Sequence, residues 1–328
     1  MLFRSIFRLE SSDTSEKILP RAQQIVGSIV ALYVGLTAIC AIAYWAYGMP
    51  GAHAIAHAMT TIATGGYSTS DASLGNWSRP AIQYAAVIFM ALSSLPFALY
   101  LQAIAGKPRT LFRDAQVRGF FLVAAILIVT LLVYQTLTGV DTGESAFRAA
   151  AFNGMSILTG TGYATTDYNA WGSFAVAVFF FAMFIGGCAG STSCGIKIFR
   201  FQIIEAAART HVRRMVHPHG VFTARYNNRA VPLDAISSVM SFFFLFMALF
   251  AIMAIALSLL GLDTITAWSS AATALSNVGP GLGETVGPSG SFAPLPDAAK
   301  WILCGGMLLG RLELFTVLVL FLPSFWRQ

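Results

Sequence analysis

Ala63-Thr64-Gly65-Gly66-Tyr67-Ser68, Thr159-Gly160-Thr161-Gly162-Tyr163-Ala164 and Ser276-Asn277-Val278-Gly279-Pro280-Gly281 each set a glycine-centred turn at the end of an apolar, helix-like stretch. The first two run on with the same spacing, as Gly66-Tyr67-Ser68-Thr69-x-Asp71 and Gly162-Tyr163-Ala164-Thr165-x-Asp167. Polar, non-helical backbone is tolerated at membrane depth only where it is buried in protein or lines a wet pathway. Three such turns in one chain predict a pore assembled from repeats.

The surrounding composition places the turns in a membrane. Of 328 residues, 56% are hydrophobic and 10% charged, against about 25% charged in soluble domains. Apolar runs near the spanning length of about 20 residues occupy 25–47, 80–104, 119–138, 173–187, 235–260 and 298–322. The semi-apolar stretches 52–63, 143–158 and 265–276 are too short to cross. They suit re-entrant helices, each leading into one glycine turn. The pattern predicts an all-α, polytopic protein: span, re-entrant helix, glycine turn, span, three times over. The first 24 residues lack the apolar core of a signal peptide.

Charge sets the expected orientation. With the turns outside, the inner segments 1–24, 105–118, 196–234 and 323–328 hold sixteen of the twenty Lys and Arg residues. The acidic residues divide almost evenly, six inside and seven outside, so the bias is confined to Lys and Arg, as the positive-inside rule requires. Both termini are then cytoplasmic. The net charge of +6 follows from these loops and does not indicate a nucleic-acid partner. Cys40, Cys188, Cys194 and Cys304 lie in or beside apolar stretches with no zinc-type spacing.

A dehydrated monovalent cation needs oxygen ligands in place of water. Backbone carbonyls supply them where successive carbonyls turn the same way, which requires positive φ and hence glycine. Potassium channels use Thr-Val-Gly-Tyr-Gly for this purpose. The matching filter candidates are Thr64, Gly65 and Gly66, then Gly160, Thr161 and Gly162, then Asn277, Val278 and Gly279, with a monovalent cation as the expected substrate and no covalent cofactor. Tyr67 and Tyr163 are expected to pack behind the strands. Asp71 and Asp167 either gather cations at the mouth or cap ordinary turns.

The run Gly186-Gly187-Cys188-Ala189-Gly190-Ser191-Thr192-Ser193-Cys194-Gly195 cannot be a comfortable helix interior, since each glycine costs about 1 kcal/mol relative to alanine. It reads either as close small-residue helix packing or as an unwound loop below the filter that moves to gate it. An amphipathic basic piece, 196–216, follows. Arg311 in the last span is a charge at membrane depth, expected to face a wet cavity near that loop or, alternatively, to pair with a carboxylate elsewhere. Glu313, two residues on, points to a different side and reads as structural. His53 and His57, one helical turn apart, lack a third metal ligand in view and read as packing or mouth residues.

These segments resemble the TrkH/KtrB superfamily of potassium-uptake proteins, its TrkH branch most closely. The likeness is carried by Thr61 to Thr69, Ser156 to Asp167, Phe184 to Lys197 (FIGGCAGSTSCGIK), Ala274 to Gly283 (ALSNVGPGLG) and Met307 to Phe321 (MLLGRLELFTVLVLF). The resemblance implies channel-type repeats around one potassium pore in the cell inner membrane. It also implies a homodimer in membrane lipid and a cytoplasmic nucleotide-binding TrkA-like ring. Gly186, Gly187, Gly190, Ser191, Thr192, Ser193 and Gly195 then match the family's intramembrane gating loop, and Arg311 its pore arginine. Cys194 stands where the family usually has glycine.

The family carries four repeats, and those present resemble its second (25–105), third (119–216) and fourth (235–328), joined by cytoplasmic loops 106–118 and 217–234. Residues 1–24, with Arg4, Phe7 to Glu10 and Pro20-Arg21, resemble the linker after a first repeat. Three readings follow: a shortened product, a separate first-repeat polypeptide, or assembly with another copy. Some members carry a serine in the first-repeat filter position and admit sodium; that position has no counterpart here. The functional alternatives are a non-conducting fragment and a cation-coupled secondary transporter or symporter. The latter predicts midplane carboxylates, for which only Glu313 qualifies. A membrane enzyme would need convergent His, Asp, Ser or Cys groups, and none converge in the sequence.

Overall fold

A computed structural model describes residues 22–312, 314–320 and 325–326; the first 21 residues of the expected linker (1–24) and the position of Glu313 lie outside the described residues. The protein is helical: α1 (Ala22–Ala46), α2 (Gly51–Ile62), α3 (Pro80–Ser93), α4 (Phe97–Ile104), α5 (Arg109–Arg113), α6 (Ala115–Thr138), α7 (Gly143–Thr159), α8 (Ser173–Ala182), α9 (Ile198–Val216), α10 (Leu233–Leu259), α11 (Thr264–Ser276), α12 (Gly283–Val286), α13 (Asp297–Arg311) and α14 (Leu314–Leu320). α1, α6 and α10 are long and apolar enough to cross a membrane unbroken. Each packs against the re-entrant helix that follows it: α2, α7 and α11, respectively.

The second span of each unit is interrupted. One break was expected, at the glycine run after α8. The structure has two more. The stretch 80–104, expected as one span, bends by 91° between α3 and α4. Pro96 is the cause: it lacks an N–H and pushes Leu95 out of helical conformation. The last span also divides, into α13 and α14.

α7 occupies the centre. Ala149 through Thr159 are all buried, with α6 and α8 of the same unit and α3 of the preceding one packed around them. α2, at one end of the series, buries only the face made by Ala54, His57, Ala58, Thr61 and Ile62. A single core cluster runs through all three units, with Tyr44, Tyr163, Phe152 and Phe179 fully enclosed. Between α9 and α10 lies a short antiparallel hairpin, β1 (Arg225–Tyr226) and β2 (Arg229–Ala230). Its turn, Asn227-Asn228, takes positive φ at both residues (46° and 63°), the geometry that two-residue hairpins favour. Asn227 also bonds the Asp114 carboxylate (3.0 Å) and the Ala115 amide (3.0 Å), fastening the hairpin to the start of α6.

Side chains hold several helix starts. Asp114 accepts from the amides of Gln116 (2.8 Å) and Val117 (3.3 Å) at α6, and Asp263 accepts from Thr266 N–H (3.1 Å) at α11. Bonds from Thr266 hold the Asp263 carboxyl below the usual aspartate range. That contribution is complete above the unfolded-state pKa of about 3.9 and is lost as pH falls through the lower folded-state value. Asp263→Ala is expected to cost about 1 kcal/mol at neutral pH. In thermal melts of the detergent-solubilised protein, the gap from the parent chain should close as pH drops below about 4.

Candidate functional site

The three glycine turns lie side by side. A Cβ placed on Gly66 would stand 1.8 Å from the Thr161 carbonyl oxygen, and one on Gly162 would stand 2.1 Å from the Val278 carbonyl oxygen. The Gly279 Cβ position faces the Gly162 Cα at 3.7 Å. The order around the axis is therefore 64–66, 160–162, 277–279. Between the third strand and the first is an open cavity of about 680 Å³, lined in part by Thr64, Gly65, Val278, Gly279, Lys300 and Arg311.

Backbone conformation repeats in all three. The outer members of each triplet are left-handed: Thr64 and Gly66 (48° and 65°), Gly160 and Gly162 (70° and 83°), Asn277 and Gly279 (53° and 116°). The middle residues Gly65, Thr161 and Val278 are not. The amide of each middle residue turns back to its re-entrant helix: Gly65 to Thr60 O (2.8 Å), Thr161 to Ser156 O (2.9 Å) and Val278 to Thr273 O (3.0 Å). Alternating handedness with the amides committed backwards leaves a series of carbonyl oxygens for another use.

Thr60, Ser156 and Thr273 are functional residues that the sequence reading missed. Each stands six positions before the central glycine, a spacing visible in the sequence. Their hydroxyls act on the strand as well: Thr60 donates to Tyr67 O (2.8 Å), Ser156 donates to Tyr163 O (2.7 Å), and Thr273 accepts from Gly279 N–H (2.9 Å).

The two tyrosines differ. Tyr163 is fully buried behind the first strand, its hydroxyl bonded to Thr60 (2.5 Å) and donating to His57 O (3.1 Å). Tyr67, expected to pack likewise, is 76% exposed. Each strand leans on the unit before it, and Tyr67 has no such unit among the described residues. Asp167 caps a turn by accepting from Asn169 N–H (3.0 Å), while Asp71 is exposed. His57 donates from Nδ1 to His53 O (2.8 Å) and pairs through Nε2 with Ser68 Oγ (2.9 Å). His53 Nδ1 meets Thr69 Oγ1 at 2.6 Å, so both histidines brace the segment that follows the first strand.

Residues 186–195 form an irregular loop directly against these strands. Ser193 Oγ donates to Thr159 O (2.7 Å), and Thr64 Oγ1 donates to Thr192 O (2.9 Å). The ends of the loop are clasped by Gly186 N–H to Ile196 O (2.9 Å) and Ile196 N–H to Phe184 O (3.0 Å). Gly186 and Gly187 are required for closeness: a Cβ on Gly186 would lie 1.9 Å from Cys194 O, and one on Gly187 2.8 Å from the Ser193 Cβ. Gly190 and Gly195 take positive φ, 74° and 75°. Ser191 Oγ donates to Cys188 O (2.6 Å), an internal bond. Lys197 Nζ bonds Ser193 O, and Arg311 at the end of α13 bonds the Cys194 sulfur. Beneath lies a cavity of about 200 Å³ lined by both loop and Arg311. The loop thus joins the first two strands to the last span.

A model of the TrkH family, described as a cation transport protein, matches residues 7–328. The chain belongs to the TrkH family. It is 48% identical to the Trk system potassium uptake protein TrkI of Halomonas elongata, covering 98% of this chain and 66% of that protein. It is 36% identical to TrkH of Vibrio parahaemolyticus, covering 95% and 64%, respectively. The crystal structure of the potassium transporter TrkH from Vibrio parahaemolyticus superposes with a TM-score of 0.90 at 34% identity, covering 99% of this chain and 69% of that one. The chain spans about two thirds of the length of these curated relatives. It is an integral membrane protein of a transporter family, not an enzyme.

Gly66→Ala and Gly162→Ala should each disrupt the assembly of the strands, since an added Cβ meets backbone rather than a movable side chain. Gly35→Ala, with nothing within 4 Å of the added atom, should leave folding intact. Size-exclusion profiles and melting temperatures in detergent check both expectations.

Proposed function

We propose that this chain provides three strands of a potassium filter and the gate beneath it, and serves in potassium uptake across the cell inner membrane. The observation that carries this reading is the threefold repeat of alternating backbone handedness at 64–66, 160–162 and 277–279. Carbonyls of Thr64, Gly65, Gly66, Gly160, Thr161, Gly162, Asn277, Val278 and Gly279 replace the hydration shell of the ion. Membrane potential drives the ion inward. The open side between the third and first strands takes a fourth strand, carried by a further span–turn–span unit of the first-repeat type. The units 25–105, 119–216 and 235–328 are the three repeats, with both termini cytoplasmic.

Loop 186–195 closes the pathway through the Ser193–Thr159 and Thr64–Thr192 bonds, which hold it against the filter. Arg311 secures it from the last span through Cys194. Opening breaks these contacts. The names of the relatives, which describe Trk systems, support a multicomponent assembly. Here that assembly is a homodimer under a cytoplasmic TrkA-like nucleotide-binding ring.

Potassium uptake in a deficient strain tests the proposal. Uptake is expected when residues 1–328 are expressed with a fourth span–turn–span segment, in the same chain or beside it, and not when they are expressed alone. Gly162→Asp should abolish it. Ser193→Ala, which removes a bond worth about 1 kcal/mol to the closed state, should raise uptake about fivefold. Uptake unaffected by Gly162→Asp would reject a filter at these strands.

A further inference from the structure

A further cavity, remote from the glycine strands, lies between α9, the hairpin and the start of α10. Its volume is about 600 Å³, within the range of small-molecule sites. One wall is a stripe of α9 at helical spacing, Ile204, Ala207, Ala208, His211 and Arg214. The opposite wall is Leu233, Ile236 and Met240, from the first two turns of α10. The hairpin closes the back through Val231 N–H to Ala224 O (2.9 Å).

The two helices run antiparallel. Phe201 of α9 stacks edge-on against Phe243 of α10, further along that helix (5.2 Å), and Ile204 and Ile236 pack into one small cluster nearer its start. The later turns of α9 therefore meet the first turn of α10. With α10 long and apolar enough to cross a membrane from Leu233, a crossing there sets Arg214 and His211 at the boundary and Ile204 and Met240 at greater depth. The groove is apolar within and basic at its mouth. Arg214 donates from Nη2 to Phe222 O (2.7 Å), which fixes its direction and leaves its other N–H groups for a ligand. Residues 196–234 carry seven Lys and Arg against two acidic residues.

We propose that this groove binds an acidic phospholipid. One acyl chain lies between Ala207, Ala208 and Met240, and the phosphate sits between His211 and Arg214. The small alanines on α9 leave room that a methylene chain fills. A basic group near a membrane surface attracts an anionic headgroup by about 1 kcal/mol. Another large apolar cavity, between α8 and α11, has the same chemistry within but carries Asp167 and Glu284 at its margin. That acidic margin repels the same headgroup, so sign of charge distinguishes the two grooves.

Native mass spectrometry of the full chain, in detergent with added phosphatidylglycerol or phosphatidylcholine, tests this. Phosphatidylglycerol should remain bound and phosphatidylcholine should not. Arg214→Gln should weaken retention about fivefold. Ala208→Phe, which fills the groove, should abolish it with an unchanged size-exclusion profile. Arg209→Gln, which removes an exposed charge paired with Glu205, should leave it unchanged. Equal retention of the two lipids, or retention unaffected by Ala208→Phe, would overturn the proposal. So would a lipid-free dimer that Ala208→Phe converts to monomer, since a second copy would then occupy the groove.

Discussion

One hydrogen bond, made three times, underlies the arrangement of the centre. A carbonyl in the last turn of each re-entrant helix, on Thr60, Ser156 or Thr273, accepts the amide five residues later. The bond bends the chain out of the helix into a left-handed conformation, and Gly160 and Asn277 serve as the left-handed caps for two of the helices. It also fixes which backbone groups remain. Amides turn back to the helix and carbonyls do not, so the strand presents acceptors only. A hydroxyl on the same three residues adds a second bond to each strand. Without these ties, glycine-rich backbone at membrane depth would have neither a fixed direction nor satisfied donors.

The loop at 186–195 depends on a second constraint of the same kind. An interrupted helix leaves polar groups unpaired, and each buried one costs about 1–3 kcal/mol. The α3–α4 break exposes Ser93 and Ser94 carbonyls and the Phe97 amide. Loop residues answer all three, through Thr192 N–H (3.3 Å), Cys188 N–H (3.0 Å) and Gly190 O (2.9 Å), respectively. The Ala189 amide goes to Gln116 Oε1 (2.8 Å). The break in one span and the loop in another thus satisfy each other. Either alone would be an unstable feature in a membrane interior.

Two cationic side chains that line the same cavity hold the loop, Lys197 on Ser193 O and Arg311 on the Cys194 sulfur. In the proposed pathway these are the charges a permeating cation would meet below the filter. A guanidinium there both anchors the loop and repels the ion, so its contact with the loop belongs to the closed arrangement. The Cys194 thiol supplies the acceptor for this contact, one that a glycine at the same position would lack.

The sequence by itself determined the helical membrane class, the three re-entrant stretches and the identity of the filter candidates. Those rest on local properties: hydropathy over the length of a span, and glycine where φ must be positive. It also contained the six-residue spacing of Thr60, Ser156 and Thr273, a signal visible in the chain but meaningful only once the strand bonds are known. The breaks at Leu95-Pro96 and near Arg311 were hidden by continuous apolar runs, because hydropathy averages over a helix and its interruption alike. Only the tertiary structure decided that the strands adjoin in the order first, second, third with an open side, and that Tyr163 is enclosed while Tyr67 is exposed. It alone placed loop 186–195 against Thr159 and Thr64 on one hand and the α3–α4 break on the other. Those outcomes depend on which unit lies beside which, and contacts between residues a hundred positions apart leave no periodic trace in the sequence.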